Sequence, residues 1–199
     1  MPAPIDFYFD FSSPYGYFAS TKIDALAGKY RREAIWRPVL LGAVLKVTGA
    51  QPLPMVPLKG DYSKHDMARS ARLHQIPFTL PSVFPIASQA PARAFYWLNA
   101  RNPAQARKLA QAFFHAYFVD DINISNPDDA VKVAEKFGLN AAEVRAAIND
   151  AVVKEKLKTE VEQSIARGVF GSPYIVIDNE PFWGFDRLEQ VEQWLAGGW

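Results

Sequence analysis

The chain has 199 residues, 49% of them hydrophobic and 22% charged, enough to bury one sizeable core or one core with a satellite subdomain. Lys and Arg number 22 against 21 Asp and Glu, and a formal net charge of +1 gives no electrostatic case for nucleic acid, an anionic membrane surface or a strongly acidic partner. No cysteine is present, which excludes disulfides, protein thiolate nucleophiles, zinc fingers and iron–sulfur clusters.

The start, Met1 to Asp10, has neither a basic n-region nor an apolar h-region, so no signal peptide is expected. The longest near-apolar run, Val39–Leu45, is far too short to span a bilayer, and a cytoplasmic globular protein is the expectation. Ile5-Asp-Phe-Tyr-Phe-Asp-Phe11 is aromatic and free of Gly and Pro, which predicts a strand. A helix follows from Pro14 to Ala27, with Phe18, Ile23, Leu26 and Ala27 at roughly helical spacing and Gly28 as its stop. Ser13 stands where an N-cap belongs, with Pro14 at the first helical position. Ala34–Val39 reads as a second strand and closes a β-α-β unit.

Past Lys46, the breakers between Gly49 and Gly60 argue against a stable element, and seven of the 15 prolines fall between Pro52 and Pro91. From about residue 63 to 167 the pattern is helical. Asn102-Pro103 and Asn126-Pro127 each give a cap followed by Pro, and Asn140 with Glu143 resembles a capping box. An amphipathic helix runs over 152–167 and ends at Gly168. Tyr174–Asp178 then reads as a strand, 179–181 as a turn, 182–184 as a partner strand, and a last helix begins with Asp186 at its cap. The order β-α-β, helical block, β-β-α favours one mixed sheet built from the two chain ends, with the helices as an added layer.

Three places carry candidate chemistry. Ser13, between a strand end and a helix start, lies beside unpaired N–H groups that favour an anion, or serves as a cap alone. Ser172-Pro173 opens a late strand; if its backbone faces the Ser13 turn, it offers an N–H and a C=O to an extended peptide, while a trans Pro at an ordinary loop junction is the plainer alternative. Asp186 could bind a ligand ammonium group or simply cap a helix. His65, His74 and His115 lack metal-ligand spacing, and no phosphate loop, Walker motif or nucleophile elbow occurs. Trp36, Trp97 and Trp194 read as core.

Phe7-Tyr-Phe-Asp-Phe-Ser-Ser-Pro-Tyr15, Gly171-Ser-Pro173 and Trp183-Gly-Phe-Asp-Arg-Leu188, taken in that order, resemble the 2-hydroxychromene-2-carboxylate isomerase family, which is related to kappa-class glutathione transferases and to disulfide oxidoreductases. Leu45–Pro52, Pro57–Tyr62 and Ile76-Pro-Phe78 extend the match to nearly the whole chain. The resemblance implies an α/β, thioredoxin-like fold (1–58 and 168–199) with an inserted all-helical domain (59–167). It also implies a homodimer acting on a small aromatic substrate, with glutathione as cofactor. In that reading Ser13 donates its O–H to the glutathione sulfur. Ser172 and Pro173 pair with the tripeptide backbone, Asp186 holds the γ-glutamyl ammonium, and Lys59 meets a carboxylate.

Three positions depart from the family pattern. Ser172 replaces an apolar residue, Ala50 replaces Asn, and Phe185 stands in the glutathione site where kappa enzymes carry a hydrogen-bonding Ser. The implied reaction is cis–trans isomerisation between 2-hydroxychromene-2-carboxylate and trans-o-hydroxybenzylidenepyruvate or a similar aromatic pyruvate. A kappa-type transferase or peroxidase, and a non-catalytic thioredoxin-like binding module, are the alternatives.

Overall fold

Alternation decides where the sheet lies. In the computed structural model, which describes residues 2–198, β1 (Ile5–Phe9) turns Ile5, Phe7 and Phe9 to one face and Asp6 and Tyr8 to the other. Met1 and Trp199, the outer limits of the expected thioredoxin-like part, lie outside the described residues. β2 (Ala34–Pro38) runs parallel to β1, with Ile5 opposite Ala34 and Phe9 opposite Pro38. β3 (Tyr174–Ile177) lies antiparallel on the other side of β1, with Phe7 opposite Ile175. β4 (Glu180–Trp183) completes the order β2-β1-β3-β4, so the two chain ends do form one mixed sheet. The β3–β4 turn sits one residue earlier than expected. Asp178 and Asn179 take φ of 52° and 73°, the paired left-handed conformation of a tight hairpin, which releases Glu180 and Pro181 into an edge strand.

The single helix expected after Ser13 is two, α1 (Pro14–Ser20) and α2 (Ile23–Lys29). Ser20 and Thr21 donate their hydroxyls back to the carbonyls of Tyr17 and Phe18 at 2.6 and 2.7 Å, and this local bonding competes with helix continuation. α3 (Leu41–Thr48) runs beyond Lys46 and stops where Gly49 adopts φ 70°. After a 3-10 turn at Leu53–Met55 come α4 (Lys59–Leu73), α5 (Gln89–Asn99), α6 (Pro103–Phe118), α7 (Pro127–Lys136), α8 (Ala141–Asn149) and α9 (Ala151–Ala166). Asn102, Asn126 and Asn140 cap their helices, as their positions predict. Asp186 does not cap the last helix: it lies within a 3-10 turn, Phe185–Arg187, and α10 (Leu188–Gly197) starts only after Arg187.

Helices cover the Phe7/Phe9 face directly. Phe9 meets Phe114 of α6 at 5.5 Å between ring centroids, Phe11 meets Phe113 and Phe114 at 5.7 and 5.1 Å, and Tyr17 stacks on Phe118 at 5.4 Å. Sheet and helical block therefore share one continuous core. The opposite face holds a smaller cluster of Tyr8, Val39, Val169 and Tyr174, bordered by ion pairs of Asp6 with Arg37 and Arg167. Trp36 is core, as expected; Trp97 and Trp194 are half-buried at its margin. No helix among the described residues is long and apolar enough to cross a membrane.

Candidate functional site

Where β1 ends, the turn Asp10-Phe-Ser-Ser13 delivers Ser13 to the start of α1. Ser13 is extended (φ −96°, ψ 114°), 5% exposed, and its Oγ accepts the Gly16 N–H at 3.0 Å. Pro14 occupies the first helical position and lacks the N–H that would otherwise go unpaired there. Ser13 is thus a cap, but capping uses only its acceptor side. Its hydrogen goes to the carbonyl of Ser172, 2.9 Å away.

That bond joins two loops 159 residues apart, so the Ser172 backbone does face the Ser13 turn. The Ser172–Pro173 peptide is cis, and the Pro173 carbonyl accepts the Gly184 N–H at 3.1 Å, tying this loop to the end of β4. The Ser172 side chain points inward, where its Oγ accepts the Asp10 N–H at 2.9 Å. Among the described residues the Ser172 N–H has no partner. A Cβ on Gly16 would stand 2.7 Å from Ser172 Oγ and 3.3 Å from Ser13 Oγ, so glycine here leaves room for both hydroxyls. Beside the loop, the Trp183 indole lies against Gly171, and Phe170 meets Trp183 at 4.9 Å, with both rings partly exposed.

The other predicted residues fall around this pair unevenly. Asp186 extends an exposed carboxylate, 3.2 Å from the Arg187 guanidinium, and its charge reaches the Tyr15 phenol. Phe185 turns its ring into the core against Phe18 (5.6 Å) and His74 (4.7 Å), leaving its backbone to the loop surface. Lys59 is exposed at the first position of α4, and among the described residues no hydrogen bond ties it to Ser13, Ser172 or Asp186. Tyr15 donates to Asp66 on α4, so burial first and then that carboxylate push its phenol well above the ordinary range. Tyr17 donates to the Pro77 carbonyl and Tyr8 bonds Arg167 on the far sheet face, so neither hydroxyl serves Ser13. The three histidines are exposed, and no group of acids and histidines among the described residues could hold a metal.

Sequence reasoning missed Asp10. Its carboxylate is 3% exposed and accepts the N–H groups of Ser12 and Leu41 at 2.7 and 2.6 Å, with the Ser88 hydroxyl alongside. Its own peptide holds both site serines: the N–H bonds Ser172 Oγ, and the carbonyl accepts the Ser13 N–H at 2.9 Å. Burial raises its pKa above the ordinary 3.8, with the backbone bonds opposing. An acid inside the aromatic run Phe9-Asp-Phe11 was the available signal. A roomy groove of about 990 Å³ lies elsewhere, between β2, α5, α8 and α9, and includes none of these residues; its Arg37, Lys156 and Glu160 are paired with one another. Local chemistry and cavity size therefore point to different places, and hydrogen-bond geometry favours the Ser13–Ser172 cleft.

Residues 4–196 match the DSBA-like thioredoxin domain. Over 199 aligned residues the chain is 30% identical to the 2-hydroxychromene-2-carboxylate isomerase of Sphingobium xenophagum, covering 98% of this chain and 99% of that protein. The chain belongs to that family, on the DSBA-like thioredoxin fold. Glutathione S-transferase kappa 1 of Rattus norvegicus is 26% identical over 100% of this chain and 94% of its own length. A solved 2-hydroxychromene-2-carboxylate isomerase superposes with TM-score 0.87 at 28% identity, covering 96% of this chain and 94% of that one. DsbA of Chlamydia trachomatis, at 14% identity and TM-score 0.60 over 97% of this chain and 86% of that one, shares the fold.

Proposed function

We propose that the chain is a glutathione-dependent isomerase that interconverts 2-hydroxychromene-2-carboxylate and trans-o-hydroxybenzylidenepyruvate, or acts on a similar aromatic pyruvate. The observation that carries the reading is the Ser13 hydroxyl facing the backbone of Ser172, whose N–H has no partner among the described residues. A chain with no cysteine must take its sulfur from outside, and this cleft offers what a small extended thiol peptide needs. When bound, glutathione would supply a sulfur nucleophile that lets a conjugated double bond become a single bond free to rotate.

The chain's own residues do the rest. The Ser172 N–H and C=O provide the strand-like pairing edge, and the Pro173 carbonyl, accepting the Gly184 N–H, anchors it to the end of β4. Ser13 has one hydrogen, now on the Ser172 carbonyl; a peptide N–H arriving at that carbonyl provides it with another donor, and the Ser13 hydroxyl can turn to the sulfur. Asp186 is exposed to receive an ammonium group, and Lys59 a carboxylate; Phe185 shapes the loop from within. Phe170 and Trp183, exposed and meeting edge to face, offer an apolar surface to an aromatic substrate. The same reading takes the protein to be a cytoplasmic homodimer.

Ultraviolet spectra with catalytic glutathione test the proposal. We expect the chromene and benzylidenepyruvate forms to equilibrate with no net loss of thiol, and Ser13→Ala to slow this on the order of 10²-fold. Net thiol consumption on a halogenated nitroaromatic, without isomerisation, would favour the kappa-type reading that the rat relative supports. A protein whose melting temperature ignores glutathione would instead be the non-catalytic module.

A further inference from the structure

We infer that the Ser172 hydroxyl is a second hydrogen-bond donor to the glutathione sulfur, acting beside Ser13; the inference rests on the glutathione reading above. Each hydroxyl has a single hydrogen to give. That of Ser13 is already committed to the Ser172 carbonyl at 2.9 Å. Ser172 Oγ has its acceptor side filled by the Asp10 N–H at 2.9 Å, and its hydrogen finds no acceptor among the described residues. The donor free at the outset is therefore the one on Ser172.

Position supports the same assignment. Both oxygens lie against Gly16, 2.7 Å for Ser172 and 3.3 Å for Ser13 from where a Cβ would stand, so the two hydroxyls are close neighbours at the start of α1. Ser172 is half-buried, whereas Ser13 is 5% exposed, so of the two residues Ser172 is the more open to a ligand. A bond from Asp10 on the inner side orients the Oγ without consuming its proton. An apolar residue at this position would lose the second hydrogen and leave the Asp10 N–H unpaired. Two donors on one thiolate favour the ionised form more than one does.

The test is the thiolate absorbance of bound glutathione, titrated against pH at saturating ligand, in wild type, Ser172→Ala, Ser172→Val and Ser172→Thr. Thr and Val have the same shape, so crowding against Gly16 is equal in both and only the hydroxyl differs. We expect Ala and Val to raise the apparent thiol pKa, cutting the thiolate fraction at neutral pH on the order of tenfold, with Thr close to wild type. Binding affinity measured at low pH, where the thiol is neutral, should change much less. Wild-type titration curves from Ala and Val, or matching curves from Thr and Val, would overturn the role of Ser172 and leave the glutathione reading standing. No thiolate signal from the wild type at saturating glutathione would overturn both.

Discussion

Asp10 presents both carboxylate oxygens to peptide N–H groups, Ser12 on one and Leu41 on the other. An amide in its place can accept only one of them, and its NH₂ must face the second donor. Asp10→Asn, though isosteric, is therefore expected to destabilise by about 1–3 kcal/mol, the cost of a buried polar group left unmatched. The effect depends on pH with a definite sign. Burial raises the folded-state pKa of Asp10 above 3.8, so the native state binds the proton more tightly than the unfolded chain. Through the window above 3.8 this group's contribution to stability falls as pH rises and recovers as pH falls. Asp10→Asn has no such dependence, so its deficit should widen on acidification. Urea unfolding of both proteins at intervals from about pH 7 down to about pH 4 checks this, and a difference constant over the whole range would mean that burial does not set the titration of Asp10. Because the Asp10 peptide also holds Ser13 and Ser172, the variant should lose turnover as well as stability.

Among the elements, α8 separates a working cap from an apparent one. Asn140 accepts the Glu143 N–H at 3.1 Å, whereas among the described residues the Asn140 N–H donates no return bond to the Glu143 carboxylate. Only half of the capping box is built. Asn140→Ala should cost about 1 kcal/mol, and Glu143→Ala should stay within about 0.5 kcal/mol of wild type. Thermal unfolding compares them, and equal losses would show that the full box forms in solution. Such caps, with the strand pattern of β1 and β3, are local signals, and the sequence displays them plainly. The break between α1 and α2 was hidden because Ser20 and Thr21 look compatible with a helix until their hydroxyls are seen bonding backwards. Ser13 could be found because strand end, cap and Pro14 are adjacent. The Ser172 side chain could not, since its partner Asp10 is 162 residues away and no local pattern connects them.

At the scale of the molecule, the helical block is less separate than its sequence suggests. Phe114 of α6 touches Phe9 of β1, Phe11 beyond it, Tyr17 of α1 and Phe118 of its own helix, all within one core. A helix that buries part of its apolar face against the sheet loses that packing once the sheet is lost. Both parts should then unfold in one transition, although chains of this length often fail to do so. Far-UV circular dichroism reports mainly the helices, while fluorescence includes Trp36, buried in the sheet against Phe7 and Phe9. The two probes should give the same urea midpoint in wild type. Phe114→Ala, which opens a cavity on the seam, should cost about 3–5 kcal/mol and lower both midpoints together. If the fluorescence midpoint stayed in place while the helical signal moved, the shared core would not couple the two blocks, and the cleft could be studied without its helical layer.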